Sequence, residues 1–321
     1  MSLYQSILAR KIPWPFVRDR LADAERAQNG TAMGDETSGV RETTAPCSVA
    51  FEDGLRFTRY HIGMDEYVDD GQLKIALYWI PPRYAGRQYR IHAKLMNAVY
   101  GVWGEGQGDL HRQGIPGGAW ANTAELRDTI AVQVNPGTPP GAYRLTIAVQ
   151  DLTREQWLDT TSREDASLGP IELPLRVLSP AQLDMPETRA ATFGDQIKLL
   201  GYRLDGEPAG GKAVLLTLFW QSLTHLDTAY TVFTHLTDDS GRLWAQQDNE
   251  PANGFHPTTS WQPGEIVRDP YLLLLPEALP VGSYTLQIGL YDAQHGQRLQ
   301  ITESAIAPHQ DSLAIETFQL K

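Results

Sequence analysis

A long internal repeat is the strongest constraint that this sequence places on its fold. Six of its eight tryptophans pair at one spacing of 141 positions without a gap: Trp79 with Trp220, Trp103 with Trp244, and Trp120 with Trp261. Tyr143 and Tyr284 agree at the same shift. Solenoid repeats have periods of about 20–50 residues, so a period this long indicates that each copy is a whole domain. The sequence therefore predicts two domains that arose by duplication.

The repeat also sets the predicted domain boundaries. Module 1 is expected at 49–178 and module 2 at 192–321, joined by a linker at 179–191 that contains two prolines. Residues 1–48 lie outside the repeat. They are interpreted as a lead-in with a short helix near 17–28, followed by a flexible stretch that has few apolar anchors.

Both modules show the alternation of apolar and polar residues that marks half-buried β-strands. One face is shared by Leu73, Ile75, Leu77 and Trp79, and in the second copy by Val214, Leu216, Leu218 and Trp220. A tight turn followed by Gly-x-Tyr, at 139–151 and 280–292, is typical of the tyrosine corner of immunoglobulin-like domains. The glycine-rich stretch 101–108 and the polar stretches 104–124 and 246–264 are interpreted as loops. The predicted fold is all-β: two tandem immunoglobulin-like antiparallel β-sandwiches related by an internal duplication, with a mostly irregular N-terminal lead-in.

Charge and composition exclude several kinds of partner. The net charge of -12 disfavours nucleic acid and anionic lipid, which both require clustered Lys and Arg. No run approaches the roughly 20 apolar residues of a membrane span, so this chain is not expected to insert into a membrane. The N-terminus shows no clear signal peptide. Cys47 is the only cysteine, which rules out an internal disulfide and a CxxC motif.

No motif predicts catalysis, a cofactor or a metal. The eight histidines are scattered without an HExxH pattern, and neither a GxSxG elbow nor a P-loop is present. The repeated acids Asp128 and Asp269 are interpreted as strand-end hydrogen-bonding residues. A calcium site at Asp238, Asp239 and Asp248 is an alternative whose spacing fits no known motif.

The aromatic residues offer the one candidate ligand site. Trp244 is out of register with Leu243 and Ala245, and with Phe255 and His256 it is a candidate platform for a sugar ring. Trp261 belongs to the same candidate site. In the alternative reading, Trp244 packs in the core and Trp261 closes a loop at one end of the sandwich.

Module 2 also resembles a known type of soluble domain. The resemblance covers most of 192–302 and includes Phe193-Gly-Asp-Gln-Ile, Trp261-Gln-Pro-Gly-Glu and Gly282-Ser-Tyr-Thr-Leu. It is to β-sandwich repeats at the C-terminal ends of bacterial multi-pass membrane proteins described as glycosyltransferase-like. Module 1 is similar over 50–160 but lacks Trp-x-Pro-Gly-Glu after Trp120. The resemblance implies that any transferase chemistry belongs to a membrane portion outside this sequence.

These observations lead to one functional expectation and two alternatives. We expect a non-catalytic, extracytoplasmic accessory or interaction module that is part of a larger cell-envelope protein. Its expected partner is a glycan or another envelope protein. The alternatives are a carbohydrate-binding module and, more remotely, a fragment of a glycoside-active enzyme.

Overall fold

The structure is a computed structural model that describes residues 43–81, 87–99, 101–110, 125–161, 166–304 and 310–320. These residues are 58% strand and 7% helix, which confirms the predicted all-β class. They divide into two compact units: unit 1 lies within 1–135 and 141–172, and unit 2 within 136–140 and 173–321. The break at 172/173 therefore precedes the predicted linker by a few residues.

Unit 1 contains nine strands and one short helix among its described residues. They are β1 (Thr43–Ala50), β2 (Arg56–Gly63), α1 (Asp65–Asp70), β3 (Gln72–Ile80), β4 (Tyr89–Met96), β5 (Val102–Asp109), β6 (Leu126–Val134), β7 (Gly141–Asp151), β8 (Gln156–Trp157) and β9 (Ser167–Leu173). The strands pair in the order β1-β2-β3-β6-β5-β4-β7-β8, and β9 also pairs with β7. On β3, Leu73, Ile75, Leu77 and Trp79 are fully buried, as the alternation predicts.

Unit 2 contains ten strands among its described residues, in two sheets. They are β10 (Ala191–Phe193), β11 (Ile197–Asp205), β12 (Ala213–Ser222), β13 (Tyr230–Asp238), β14 (Leu243–Asn249), β15 (Ile266–Leu274), β16 (Gly282–Asp292), β17 (Gln297–Arg298), β18 (Ile301–Ser304) and β19 (Leu313–Leu320). One sheet has the order β15-β12-β11-β10-β18, and the other β14-β13-β16-β17 with β19 beside β16. A single buried cluster draws side chains from both sheets, so the unit is a sandwich.

The predicted loop at 101–108 is wrong, because Val102–Asp109 is strand β5. Its glycines let the backbone of β6 approach closely. A β-carbon at Gly104 would lie 2.8 Å from the carbonyl oxygen of Gln133, and one at Gly106 would collide with the Ala131 carbonyl. Pairing of β5 with β6 joins the strands of unit 1 into one sheet. The predicted polar loops at 104–124 and 246–264 also start too early, since 104–109 and 246–249 belong to strands β5 and β14.

The end of the predicted lead-in is also corrected. Residues 1–42, including the predicted helix, lie outside the described residues. Residues 43–48, expected to be flexible, belong to β1 instead and pair with β2, with Pro46 opposite Arg59. Backbone hydrogen bonds to a neighbouring strand stabilise an edge strand without requiring a strong apolar pattern, so the sequence alone does not reveal it.

The predicted tyrosine-corner bond is present in unit 2. The hydroxyl of Tyr284 donates to the carbonyl oxygen of Pro280 at 2.7 Å. Tyr284 is 2% exposed, so its hydroxyl would be costly to bury without this partner. The bond ties the start of β16 to the turn that precedes it.

Candidate functional site

Two of the predicted ligand-binding residues, His256 and Trp261, lie together in the loop between β14 and β15. Trp261 is 0% exposed and His256 is 5% exposed. The indole Nε1 of Trp261 donates to the carbonyl oxygen of His256 at 3.0 Å. An enclosed ring offers no face to a ligand, so Trp261 closes the loop, which is the structural alternative that the sequence left open.

Glu265, which the sequence reasoning did not select, completes this loop. Its Oε1 lies 2.8 Å from Nε2 of His256, and its Oε2 accepts from the backbone N–H of Gln262 at 2.8 Å. The Glu265 side chain is 1% exposed. The motif Trp261-Gln-Pro-Gly-Glu could have indicated the role of Glu265, because its last residue is an acid four positions after the buried tryptophan.

Trp244 has a structural environment of its own. It lies at a β-bulge, where the pairing of β14 with β13 shifts register between Leu243 and Ala245. Its Nε1 donates to Oδ2 of Asp238 at 2.8 Å, and the guanidinium of Arg242 lies 4.2 Å from its ring centroid. The edge of its ring meets Tyr284, with centroids 6.2 Å apart. Both the polar atom and a face of the indole are therefore already engaged.

The structure does not bring Trp244 together with Phe255 and His256. Trp244 lies at the Asp238 end of β13, whereas the loop of His256 lies at the Tyr230 end, where Thr258 Oγ1 accepts from the Tyr230 N–H at 2.9 Å. Nine residues make up β13, so its ends are about 26 Å apart at about 3.3 Å per residue. Phe255 is half-buried in the same loop as His256. The four residues do not form a common platform.

A hydrogen-bonded tryptophan–aspartate pair occurs in each unit, fully buried in unit 2 and with a half-buried aspartate in unit 1. Trp79 Nε1 donates to Oδ2 of Asp128 at 2.9 Å in unit 1, and Trp220 Nε1 donates to Oδ2 of Asp269 at 3.0 Å in unit 2. Asp269 lies in the middle of β15, so the interpretation of this acid as a strand-end residue is wrong in position. Its role is still one of hydrogen bonding within the fold.

Asp269 holds three parts of unit 2 together. Besides the indole, it accepts from the Tyr271 hydroxyl at 2.7 Å and from the Ala252 N–H at 2.9 Å. Burial raises the pKa of Asp269 to about 6, against the opposing effect of these three donors. The bond to Ala252 attaches the loop that follows β14 to β15.

A cluster that the sequence reasoning missed lies on the outer face of the β14-β13-β16-β17 sheet. Val232 and Leu236 face the core, so Phe233 and His235 of β13 face outward. The guanidinium of Arg298 lies 4.4 Å from the Phe233 ring centroid, and the ring of His235 is 4.7 Å away. A β-carbon at Gly289 would collide with Phe233, so this glycine allows the ring to lie across β16. Phe233 is 1% exposed beneath these groups.

Polar groups surround this buried ring. Asp248 lies opposite Phe233 in the sheet, and its Oδ1 is 3.3 Å from Nε2 of His235. Burial and the neighbouring carboxylate of Asp248 raise the pKa of Tyr291 on β16, and the ring centroid of Tyr291 lies 6.4 Å from that of Phe233. The side chains of His235 and Asp248 are 20% and 28% exposed. We call Phe233, His235, Asp248, Tyr291 and Arg298 the outer aromatic face. It combines the carboxylate of Asp248 with the guanidinium of Arg298. The residue pattern of the sequence did not predict this cluster.

The described residues hold no group of three or more His, Cys, Asp or Glu side chains arranged to bind a metal ion. Asp248 lies opposite Phe233, five residues before Asp238 on β13, so Asp248 is about 16 Å from Asp238, and the three acids of the calcium alternative do not come together. No helix in the described part of the chain is long and apolar enough to cross a membrane.

The fold and these sites define an all-β protein of two units built from antiparallel sheets. No known protein family and no curated protein matches the sequence. Solved structures with some similarity include a β-glucuronidase of glycoside hydrolase family 2, at 10% identity and a TM-score of 0.23, with 77% of this chain and 23% of that chain covered. β-Glucuronidase 2 of Bacteroides uniformis has 8% identity and a TM-score of 0.23, with 73% and 26% covered. A β-glucuronidase of Ruminococcus gnavus has 11% identity and a TM-score of 0.16, with 78% of this chain and 34% of that chain covered.

This chain thus spans about a quarter of the length of the first two enzymes. Similarity at such TM-scores supports no inference about activity.

Proposed function

We propose that this chain is a non-catalytic interaction module of a larger cell-envelope protein and acts outside the cytoplasm. The observation that carries the proposal is the engagement of the buried acids by the fold. Asp269 accepts three hydrogen bonds, and both carboxylate oxygens of Glu265 have partners within their loop. These groups stabilise strands and loops.

The exposure of these acids supports the same conclusion. Glycoside hydrolysis requires two carboxyl groups that face the substrate, about 5–10 Å apart. The side chains of Asp269 and Glu265 are 0% and 1% exposed, so a substrate does not reach either carboxyl group. Asp238, nearer the surface, accepts bonds from Ser240, Arg242 and Trp244 that lower its pKa to about 2. An acid with such a low pKa is a poor proton donor at neutral pH.

The location outside the cytoplasm is supported by the resemblance of 192–302 to repeats of bacterial membrane proteins. β-Sandwiches in tandem are also frequent in cell-surface proteins. In such proteins they hold a partner or set the distance to it, which requires a rigid core and an available outer face.

An activity assay tests the non-catalytic part of the proposal. The full chain is incubated with p-nitrophenyl glycosides, the β-glucuronide and β-glucoside among them, and release of nitrophenol is followed. We expect no release above that of the heat-denatured chain. Release above that level would contradict the proposal, and its loss in Glu265→Gln or Asp269→Asn, with the near-UV circular dichroism unchanged, would assign the hydrolysis to that acid.

A further inference from the structure

We propose that the outer aromatic face of unit 2 binds a neutral carbohydrate chain. This inference rests on the proposed function, because it names the ligand class of the interaction module. A sugar ring has an apolar face of C–H groups and an edge of hydroxyls. A matching protein surface presents aromatic rings beside planar polar groups, and the outer aromatic face has both.

The aromatic part of the face is fixed from below. Phe233 lies across Gly289, where any β-carbon would meet its ring, and it is 1% exposed. Tyr291 lies beside it at 6.4 Å with an interplanar angle of 40°, and it keeps part of its surface accessible. A buried ring that supports a partly exposed one gives a rigid surface, which lowers the entropy lost on binding.

The polar part of the face lies beside these rings. Asp248 is opposite Phe233 in the sheet, and Nε2 of His235 lies 3.3 Å from its Oδ1 without forming an aligned hydrogen bond. With 28% of its side chain exposed, the carboxylate is able to accept from ligand hydroxyls. Arg298, 41% exposed, adds donors at the opposite margin and pairs with Asp311 at 3.5 Å.

The charges on and around the face favour a neutral ligand. The carboxylates of Asp248 and Asp311 outnumber the guanidinium of Arg298, so these three groups together carry a net charge of about -1. The chain as a whole carries a net charge of -12. Phosphate-rich or uronate-rich polymers would be repelled, whereas hydroxyls pair equally well with carboxylate, imidazole and guanidinium groups.

Unit 1 supplies an internal comparison. At the positions 141 residues earlier it has His92, Gln107, Gln150 and Trp157 in place of Phe233, Asp248, Tyr291 and Arg298. His92 and Trp157 do contact, with centroids 4.8 Å apart. Without the carboxylate and the tyrosine, this face of unit 1 lacks the arrangement found in unit 2, so we assign binding to unit 2 alone.

Native affinity electrophoresis of the full chain tests the inference. The gels contain hydroxyethylcellulose, xyloglucan, arabinoxylan or galactomannan, and further gels contain alginate or no polysaccharide. We expect retardation in at least one of the neutral gels and none in alginate. Tyr291→Ala should weaken binding roughly tenfold or more, as loss of a central aromatic contact does. Asp248→Asn should also weaken it.

Two matched variants serve as controls. Asp239→Asn removes the same charge from the exposed turn after β13, and Trp157→Ala removes the aromatic residue at the matching position of unit 1. Both should bind like the wild type. If Tyr291→Ala unfolds, as judged by its thermal midpoint, Tyr291→Phe and Asp248→Asn still alter the polar contacts without removing the ring.

Three results would overturn the inference: no retardation in any neutral gel, retardation only in alginate, or retardation that Tyr291→Ala and Asp248→Asn retain in full. A folded chain that neither binds these polysaccharides nor releases nitrophenol would contradict only this inference. Hydrolysis of the nitrophenyl glycosides would contradict the proposed function itself.

Discussion

At the scale of single residues, Asp269 shows how this protein uses a buried acid. Its carboxylate is 0% exposed and receives hydrogen bonds from an indole, a phenol and a backbone amide. Burial still raises the pKa of Asp269 to about 6 from the ordinary value of 3.8. The folded chain therefore binds this proton more tightly than the unfolded chain does. The contribution to stability is greatest below about pH 4 and is lost as the pH rises through 6.

Replacement of Asp269 by asparagine should remove this pH dependence. The change in pKa corresponds to about 3 kcal/mol in full, of which about 2 kcal/mol is lost between pH 4 and pH 6.5. We expect the difference in unfolding free energy, wild type minus Asp269→Asn, to fall by up to this amount across that range. Urea unfolding at several pH values measures it. A difference that stays constant with pH would show that Asp269 does not titrate in this window.

The grouping of residues into a site was the least predictable feature. Trp244, Phe255 and His256 are close in sequence, but Trp244 is the second residue of β14, and the other two lie in the loop beyond the far end of that strand. The bulge at Trp244 was visible as a break in register, yet its hydrogen bond to Asp238 was not. Phe233, Asp248 and Tyr291 lie on three different strands. Only the pairing register, which depends on long-range contacts, brings them together.

At the scale of strands, β5 and β14 show how a few side chains alter a sheet. β5 follows β4 in unit 1, and β14 follows β13 in unit 2. At the 141-residue spacing, Gly104 and Gly106 of β5 correspond to Ala245 and Gln247 of β14. The glycines let β5 pair with β6, whereas β14 and β15 belong to separate sheets. Period-two alternation predicted β3 and β12 well. It failed for β5, because glycine has no side chain to carry the pattern.

A substitution in β5 tests this account. A valine at Gly106 places a β-carbon against the Ala131 carbonyl and should destabilise the chain by about 1–3 kcal/mol, as overpacking does. The matched control is Gln247→Val in β14, where a β-carbon is already present and the buried Oε1 has no partner. We expect little change there. Equal stability of Gly106→Val and wild type in urea unfolding would refute the close-approach explanation.

At the scale of the whole molecule, the two compact units carry the same pairs of residues at the same spacing. Trp79 donates to Asp128 as Trp220 does to Asp269. Trp103 meets Tyr143 edge-on at 6.5 Å, as Trp244 meets Tyr284 at 6.2 Å. The 141-residue spacing could be recognised in the sequence because aromatic residues that are buried in one unit recur at the matching positions of the other. The duplication itself remains an inference from these correspondences.

The most direct test of this account is the additivity of Trp79→Phe and Trp220→Phe in equilibrium unfolding of the full chain. Trp220→Phe leaves the buried carboxylate of Asp269 without its indole donor and should cost about 2 kcal/mol, whereas Trp79→Phe, whose partner Asp128 is half-buried, should cost about 1 kcal/mol. Because each tryptophan lies in the core of its own unit, the double variant should show the sum of the two costs within about 0.5 kcal/mol. A negligible cost for either substitution, or a double variant far from that sum, would contradict the claim that matching tryptophan–aspartate pairs stabilise the two units separately.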